Sequence, residues 1–123
     1  MRVSLEVGVD WDTLVKQRSW CRVRANLVEL TSRAGRHSGA KIQSCIFCGE
    51  ACGNPVKHVI GKCRVFTTAR DEFKRRSPGT ENPEEITLAV LRERPRKASY
   101  KAAVELCAKV DRSARQYWSD VLQ

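Results

Sequence analysis

No run of apolar residues in this sequence approaches the ~18 that a helical membrane span requires, so no membrane partner is expected. The first residues, MRVSLEVGVDWDTLVKQRSW, hold no continuous apolar stretch of the kind a secretory leader needs. The expectation is therefore an intracellular, reducing setting, nucleus or cytoplasm. Disulfides are rare there, and clustered cysteines serve first as metal ligands. Acidic side chains are scarce: 14 Asp and Glu stand against 23 Lys and Arg, a net charge of +9 over 123 residues. The excess is not confined to a tail, because residues 1–62 carry ten basic and five acidic side chains and residues 63–123 carry thirteen and nine. Such a surface attracts polyanions. Aromatic residues make up only 7% of the chain, and internal repeats and low-complexity tracts are lacking. One small domain follows, with a core modest enough for a bound metal to help it.

Catalytic patterns are also missing. No histidine or cysteine followed by Glu precedes a C-x-x-C pair, as zinc deaminases require. No acid–base pair can be named, and ARDEFK reads as a charged helical turn rather than a nuclease site. The expectation is a protein that is not an enzyme.

What is present is mainly helical signal. VSLEVGV alternates weakly and suggests a short strand or extended arm over 1–11. A helix is expected over 12–34, with Asp12 as cap, Gly35 as terminator, and Leu14, Cys21, Ala25, Leu27 and Val28 facing inward. RVFTTARDEFKRR places Phe66, Ala69 and Phe73 about a turn apart. NPEEITLAVLRER opens with Asn82 as cap, Pro83 at the first helical position and two Glu in the first turn. The last and longest segment carries Ala103, Leu106, Cys107, Val110, Ala114, Tyr117 and Val121 on one stripe. The fold class is thus mainly α: a small helical domain around a metal-bound loop at 45–63, with a helical C-terminal part over 64–123.

The loop CIFCGEACGNPVKHVIGKC holds four of the six cysteines and one of the two histidines. Cys45 and Cys48 are spaced so that both thiolates reach one ion while the intervening turn aims N–H groups at sulfur, and Gly49 permits the backbone that turn needs. GNPVKHVIGKC reads as a short helix capped by Asn54, begun by Pro55 and broken by Gly61, which sets His58 and Cys63 toward the same ion. C-x2-C-x9-H-x4-C is a soft tetrahedral donor set suited to zinc. Cys52, between the pairs, is the alternative ligand that could replace His58. Four filled positions, most of them thiolate, describe a structural zinc rather than a catalytic one. Cys21 and Cys107 fall on apolar helix faces as small core residues.

CIFCG…HVIGKCRVFTTARDEF resembles the C-terminal zinc-binding segment of non-LTR retrotransposon reverse transcriptases. That family has a C-x-x-C-G pair, a His followed after four residues by a Cys, an aromatic residue and a short Arg-bearing helix. Cys45, Cys48, Gly49, His58, Cys63, Phe66 and Arg70 occupy those places here. The resemblance spans roughly residues 20–120 and is specific only over 45–73, without the polymerase or the endonuclease. It implies nucleic-acid contact by the zinc segment, not catalysis by it.

Basic residues flank the loop: Arg33, Arg36 and Lys41 before it, and Lys57, Lys62, Arg64 and Arg70 within or after it. Brought together by the ion, they are expected to contact phosphates in a salt-sensitive, largely sequence-independent way. His37 joins them as a phosphate-touching loop residue, and Phe47 either stacks on a base or packs beneath the loop. RNA is favoured slightly over DNA, since no recognition helix stands out. The alternative function is a zinc-stapled protein-interaction subunit of a ribonucleoprotein or other assembly, docking through the C-terminal helix with Tyr117 and Trp118.

Overall fold

The computed structural model describes residues 11–32, 43–77, 79–91 and 97–122. Along them run α1 (Trp11–Arg24), β1 (Thr31–Ser32), β2 (Gln43–Cys45), β3 (Ala51–Cys52), α2 (Pro55–Gly61), α3 (Thr67–Arg76, entered through a 3-10 turn at Arg64–Phe66), α4 (Pro83–Leu91) and α5 (Lys97–Val121). The protein is mostly helical, as expected, with a small antiparallel sheet in the order β1-β2-β3. Thr31 pairs with Cys45, and Gln43 with Cys52. No helix of the described residues is long and apolar enough to cross a membrane.

The helix expected over 12–34 ends at Arg24, and the chain goes on into β1. Asn26 causes the stop. It takes φ of 59°, the left-handed conformation that its short polar side chain tolerates better than most. Around it the Asn26 N–H donates to Val23 O (3.0 Å) and the Leu27 N–H to Arg22 O (2.9 Å), the paired bonds that close a helix end. The inward face also differs from the expected one. Cys21, Ala25 and Leu27 are exposed, whereas Ser19, Trp20 and Val23 are buried. Trp20 sets this rotation: its indole N–H donates to Val90 O at 2.9 Å, and its ring meets Tyr100 edge to face at 5.1 Å. The arm expected at 1–11 lies outside the described residues, except that Trp11 begins α1.

The later helices follow their sequence signals closely. Asn82 Oδ1 accepts from the Glu85 N–H (2.8 Å), while Glu85 Oε1 accepts from the N–H groups of Glu81 (3.0 Å) and Asn82 (3.2 Å), a reciprocal cap that starts α4. On α5, Ala103, Leu106, Cys107, Val110 and Ala114 are each 2% exposed or less and form one continuous stripe, with Tyr117 half-buried and Val121 exposed beyond it. Trp20, Phe66, Phe73, Ile86 and Val90 close over this stripe in one core cluster. Burying each large side chain contributes about 2 kcal/mol. Gly61 has a role that its reading as a helix breaker did not foresee. It belongs to α2, and a Cβ there would stand 2.6 Å from Thr87 Oγ1 and 2.8 Å from Pro83 O, so its bareness lets α2 lie directly on α4.

Candidate metal centre

The first half of the centre is a turn leaving β2. The Cys45 N–H donates to Glu50 O and the Gly49 N–H to Cys45 O, both at 2.9 Å, and Gly49 takes φ of 81°. A side chain at Gly49 would be strained there, which is why glycine follows the second cysteine. The turn aims the Phe47 N–H at Cys45 Sγ (3.4 Å), a bond that strengthens as the sulfur becomes anionic. Ile46 N–H donates to Leu30 O at 3.0 Å, tying the turn back toward α1. The Phe47 ring meets Phe66 edge to face at 4.8 Å.

The second half is α2 and its exit. Asn54 Oδ1 caps the helix by accepting from the Lys57 N–H at 3.1 Å, and Pro55 supplies the first helical residue. His58 stands one turn in. Its carbonyl accepts from both the Lys62 N–H (2.7 Å) and the Cys63 N–H (2.8 Å), which curls Cys63 back over the histidine's side of the helix.

The two halves converge. One donor atom each from Cys45, Cys48, His58 and Cys63 lies within 4.8 Å of the other three, a group that could hold a metal ion. Cys45 Sγ and Cys63 Sγ are 3.8 Å apart, and Cys48 Sγ is 3.3 Å from His58 Nε2. A disulfide sulfur pair stands at about 2.05 Å, and all six cysteines are free thiols. Cys52, on β3, is half-buried and lies outside this convergent group, so His58 completes the four.

The surroundings tune the donors. Burial pushes the Cys63 thiol up to about 12 and raises Cys45 as well. Both therefore hold their protons at neutral pH until a cation takes their place. Burial lowers His58, which keeps the imidazole neutral and its lone pair available. Arg70 lies beside Cys63: burial pushes its guanidinium down and the cysteine pulls it up. Glu50 Oε2 stands 3.7 Å from Cys48 Sγ and 4.0 Å from Arg64 Nη1.

The basic residues expected to flank the loop have different fates. Lys57, Lys62 and Arg64 are exposed around the centre. Arg64 also donates to Cys48 O at 3.3 Å. Lys57 and Lys62 edge a shallow groove of about 330 Å³ that His58 and Cys52 also line. Arg70, expected to touch phosphate, is instead 8% exposed and donates to Val59 O (3.3 Å), Ile60 O (3.5 Å) and Cys63 O. It closes the carbonyl end of α2 from inside, where no phosphate could reach it. Phe47 is half-buried against Phe66, which matches packing beneath the loop. Arg33, Arg36, His37 and Lys41 lie outside the described residues. On α5, Trp118 Nε1 donates to Glu29 O (2.9 Å) and its ring stacks edge to face on Tyr117, so both aromatics are engaged within the chain.

No family model, curated protein or solved structure matches this chain.

Two features escaped the sequence reading. Arg70 as an internal cap carried one readable signal: it follows Cys63 by seven residues, on the helix that must pack against α2. The Ser19–Asp111–Arg22 network between α1 and α5 joins residues about ninety positions apart, and no local pattern announces it.

Proposed function

We propose that Cys45, Cys48, His58 and Cys63 bind one structural zinc ion, and that the module so formed binds nucleic acid through its phosphates without catalysing a reaction. A tetrahedral zinc with Zn–S near 2.3 Å places its sulfurs about 3.8 Å apart, and Zn–N near 2.05 Å gives a sulfur–nitrogen edge of about 3.5 Å. The corresponding separations here are 3.8 Å and 3.3 Å. Three thiolates and one imidazole are a soft, closed set that favours zinc over oxygen-loving cations. The ion supplies a cross-link between the β2 turn and α2. The chain's residues supply the rest: Gly49 and the Phe47 N–H shape one half, Asn54 and Pro55 the other, and Arg70 holds α2 on its base.

One observation carries the nucleic-acid reading. Lys57, Lys62 and Arg64 are exposed on elements whose mutual placement the four ligands set. With the chain's net charge of +9, they form a fixed basic surface suited to phosphodiester oxygens. The order of the motif supports a likeness to the tail segment of non-LTR retrotransposon reverse transcriptases, and single-stranded RNA is the preferred ligand.

The test is a binding titration of the zinc-loaded protein with a single-stranded RNA over a range of salt. Wild type should lose affinity steeply as salt rises. Replacing Lys57, Lys62 and Arg64 together by Ala should lower the log–log salt slope by about 2, at roughly 0.7 per lost phosphate contact. An unchanged slope and affinity in that variant would refute the reading.

A further inference from the structure

α1 and α5 enclose a groove of about 270 Å³ on a part of the molecule that the metal ligands do not line. Lys16, Arg18 and Arg22 from α1, and Arg112 and Arg115 from α5, line it around a single carboxylate, Asp111. Five basic side chains and one carboxylate line this one cleft, and Arg22 and Arg115 are paired with that carboxylate.

Asp111 is 4% exposed and forms the floor. It accepts from Ser19 Oγ at 2.7 Å and from the Arg22 guanidinium, and Arg115 Nε forms an ion pair with it at 3.4 Å. This network pins the two helices together and holds Arg22 and Arg115 in place. Arg18 and Arg112 are different: both are exposed, and no hydrogen bond or ion pair engages either among the described residues. Arg18 lies one helical turn from Arg22, about 6 Å along the axis, and Arg112 about 4.5 Å from Arg115. Like charges at such spacings repel and weaken a helix, so packing alone gives no reason for them.

An anionic ligand does give one. Guanidinium forks match phosphate oxygens two at a time. The charges are spread along both helices instead of gathered at one point, which suits a chain of phosphates better than a single ion. An acidic protein segment would want an apolar anchor, and this groove offers only Val15 and Ala108. We propose that the α1–α5 groove is a second phosphodiester-binding surface, contacting the nucleic-acid backbone through Arg18 and Arg112 beside the clamped Arg22 and Arg115. This rests on the nucleic-acid reading above but adds a surface separate from the metal loop.

The experiment compares three zinc-loaded full chains: wild type, Arg18→Ala with Arg112→Ala, and Lys57→Ala with Lys62→Ala and Arg64→Ala. Each is titrated with a fluorescent single-stranded RNA of about twenty nucleotides across a salt series, with poly-glutamate as competitor; one such backbone offers enough phosphates for both surfaces. The groove variant should show a salt slope smaller by about 1.4 and affinity down roughly 25-fold at 0.1 M salt. Neither residue holds the fold together, so its thermal midpoint should match wild type.

If the groove variant binds like wild type while the loop variant weakens, the groove proposal falls and the loop reading stands. If the groove variant weakens while the loop variant does not, the loop reading falls and the groove proposal stands. Wild type that does not bind the RNA overturns both. Poly-glutamate displacing the RNA at equal charge concentration would assign the groove to an acidic protein and overturn its assignment to phosphodiesters.

Discussion

Gly61→Ala should destabilise this protein even though alanine is the better helix former. Within α2 the exchange gains about 1 kcal/mol of helix propensity. Against that, the new Cβ would stand 2.6 Å from Thr87 Oγ1 and 2.8 Å from Pro83 O. Thr87 cannot simply swing away, because its hydroxyl donates to that same Pro83 carbonyl at 2.8 Å. Nor can a backbone carbonyl yield without moving the start of α4. The helices must part by about half an ångström or more, and forced overpacking of this kind costs roughly 1–3 kcal/mol. A further loss comes from loosening Val59 and Ile60, both fully buried on α2. The net expectation is a loss of about 1–2 kcal/mol, a thermal midpoint lower by roughly 4–8 °C for a domain of this size. Because α2 also carries His58, metal affinity should fall with it. The assay is thermal denaturation of wild type and variant at matched zinc, followed by competition with a chromophoric chelator. A variant as stable as wild type, with unchanged affinity, would refute the close approach of α2 to α4.

Metal affinity should fall as pH falls, because an incoming cation must displace the protons that burial holds on Cys45 and Cys63. With at least two protons released, the dissociation constant should rise about 100-fold per unit of pH lowered below neutral, as read by chelator competition; a flat profile would contradict thiolate ligation. Cys52→Ser should retain the bound metal while Cys63→Ser loses it, since Cys52 stands outside the convergent group; elemental analysis decides. Asp111→Asn should cost about 2 kcal/mol in denaturant unfolding at pH 7, because it weakens the hydrogen bonds from Ser19 and Arg22 and removes the ion pair with Arg115. Burial pushes the Asp111 carboxyl up, but the bonds from Arg22 and Ser19 and the charges of Arg22 and Arg115 outweigh it and hold the group below its ordinary value. Its contribution is therefore complete above an unfolded pKa of roughly 3.9 and lost as pH falls through the lower folded value, so the gap between wild type and variant should close below about pH 4.

The residues that carry local signals were the legible ones. Asn54–Pro55 and Asn82–Pro83 announce helix starts because capping and proline geometry act within a few residues. The convergence of Cys45, Cys48, His58 and Cys63 was readable from the C-x2-C and H-x4-C spacings because each pair spans only a few residues, one from β2 into its turn and the other from α2 into its exit. The α5 stripe was readable because its period repeats over several turns. Long-range choices were not. The inward face of α1 depends on Trp20 finding the Val90 carbonyl and Tyr100, and on Ser19 and Arg22 finding Asp111. An apolar count along α1 favours Cys21 and Leu27 instead. The small sheet was missed because its strands are two or three residues long, too short for alternation to register. Asn26 was passed over because asparagine in the left-handed conformation ends a helix less often than glycine, and Gly35 offered the more familiar signal.

The central claim is that Cys45, Cys48, His58 and Cys63 together hold one zinc ion. The most direct measurement is elemental analysis of the purified full chain beside the absorption spectrum of its cobalt-substituted form. The account predicts one equivalent of zinc, and for cobalt the intense visible bands of a tetrahedral ion with strong thiolate charge transfer, both lost in Cys45→Ser and His58→Ala. A natively folded chain that carries no zinc and gives no such spectrum with cobalt would contradict it.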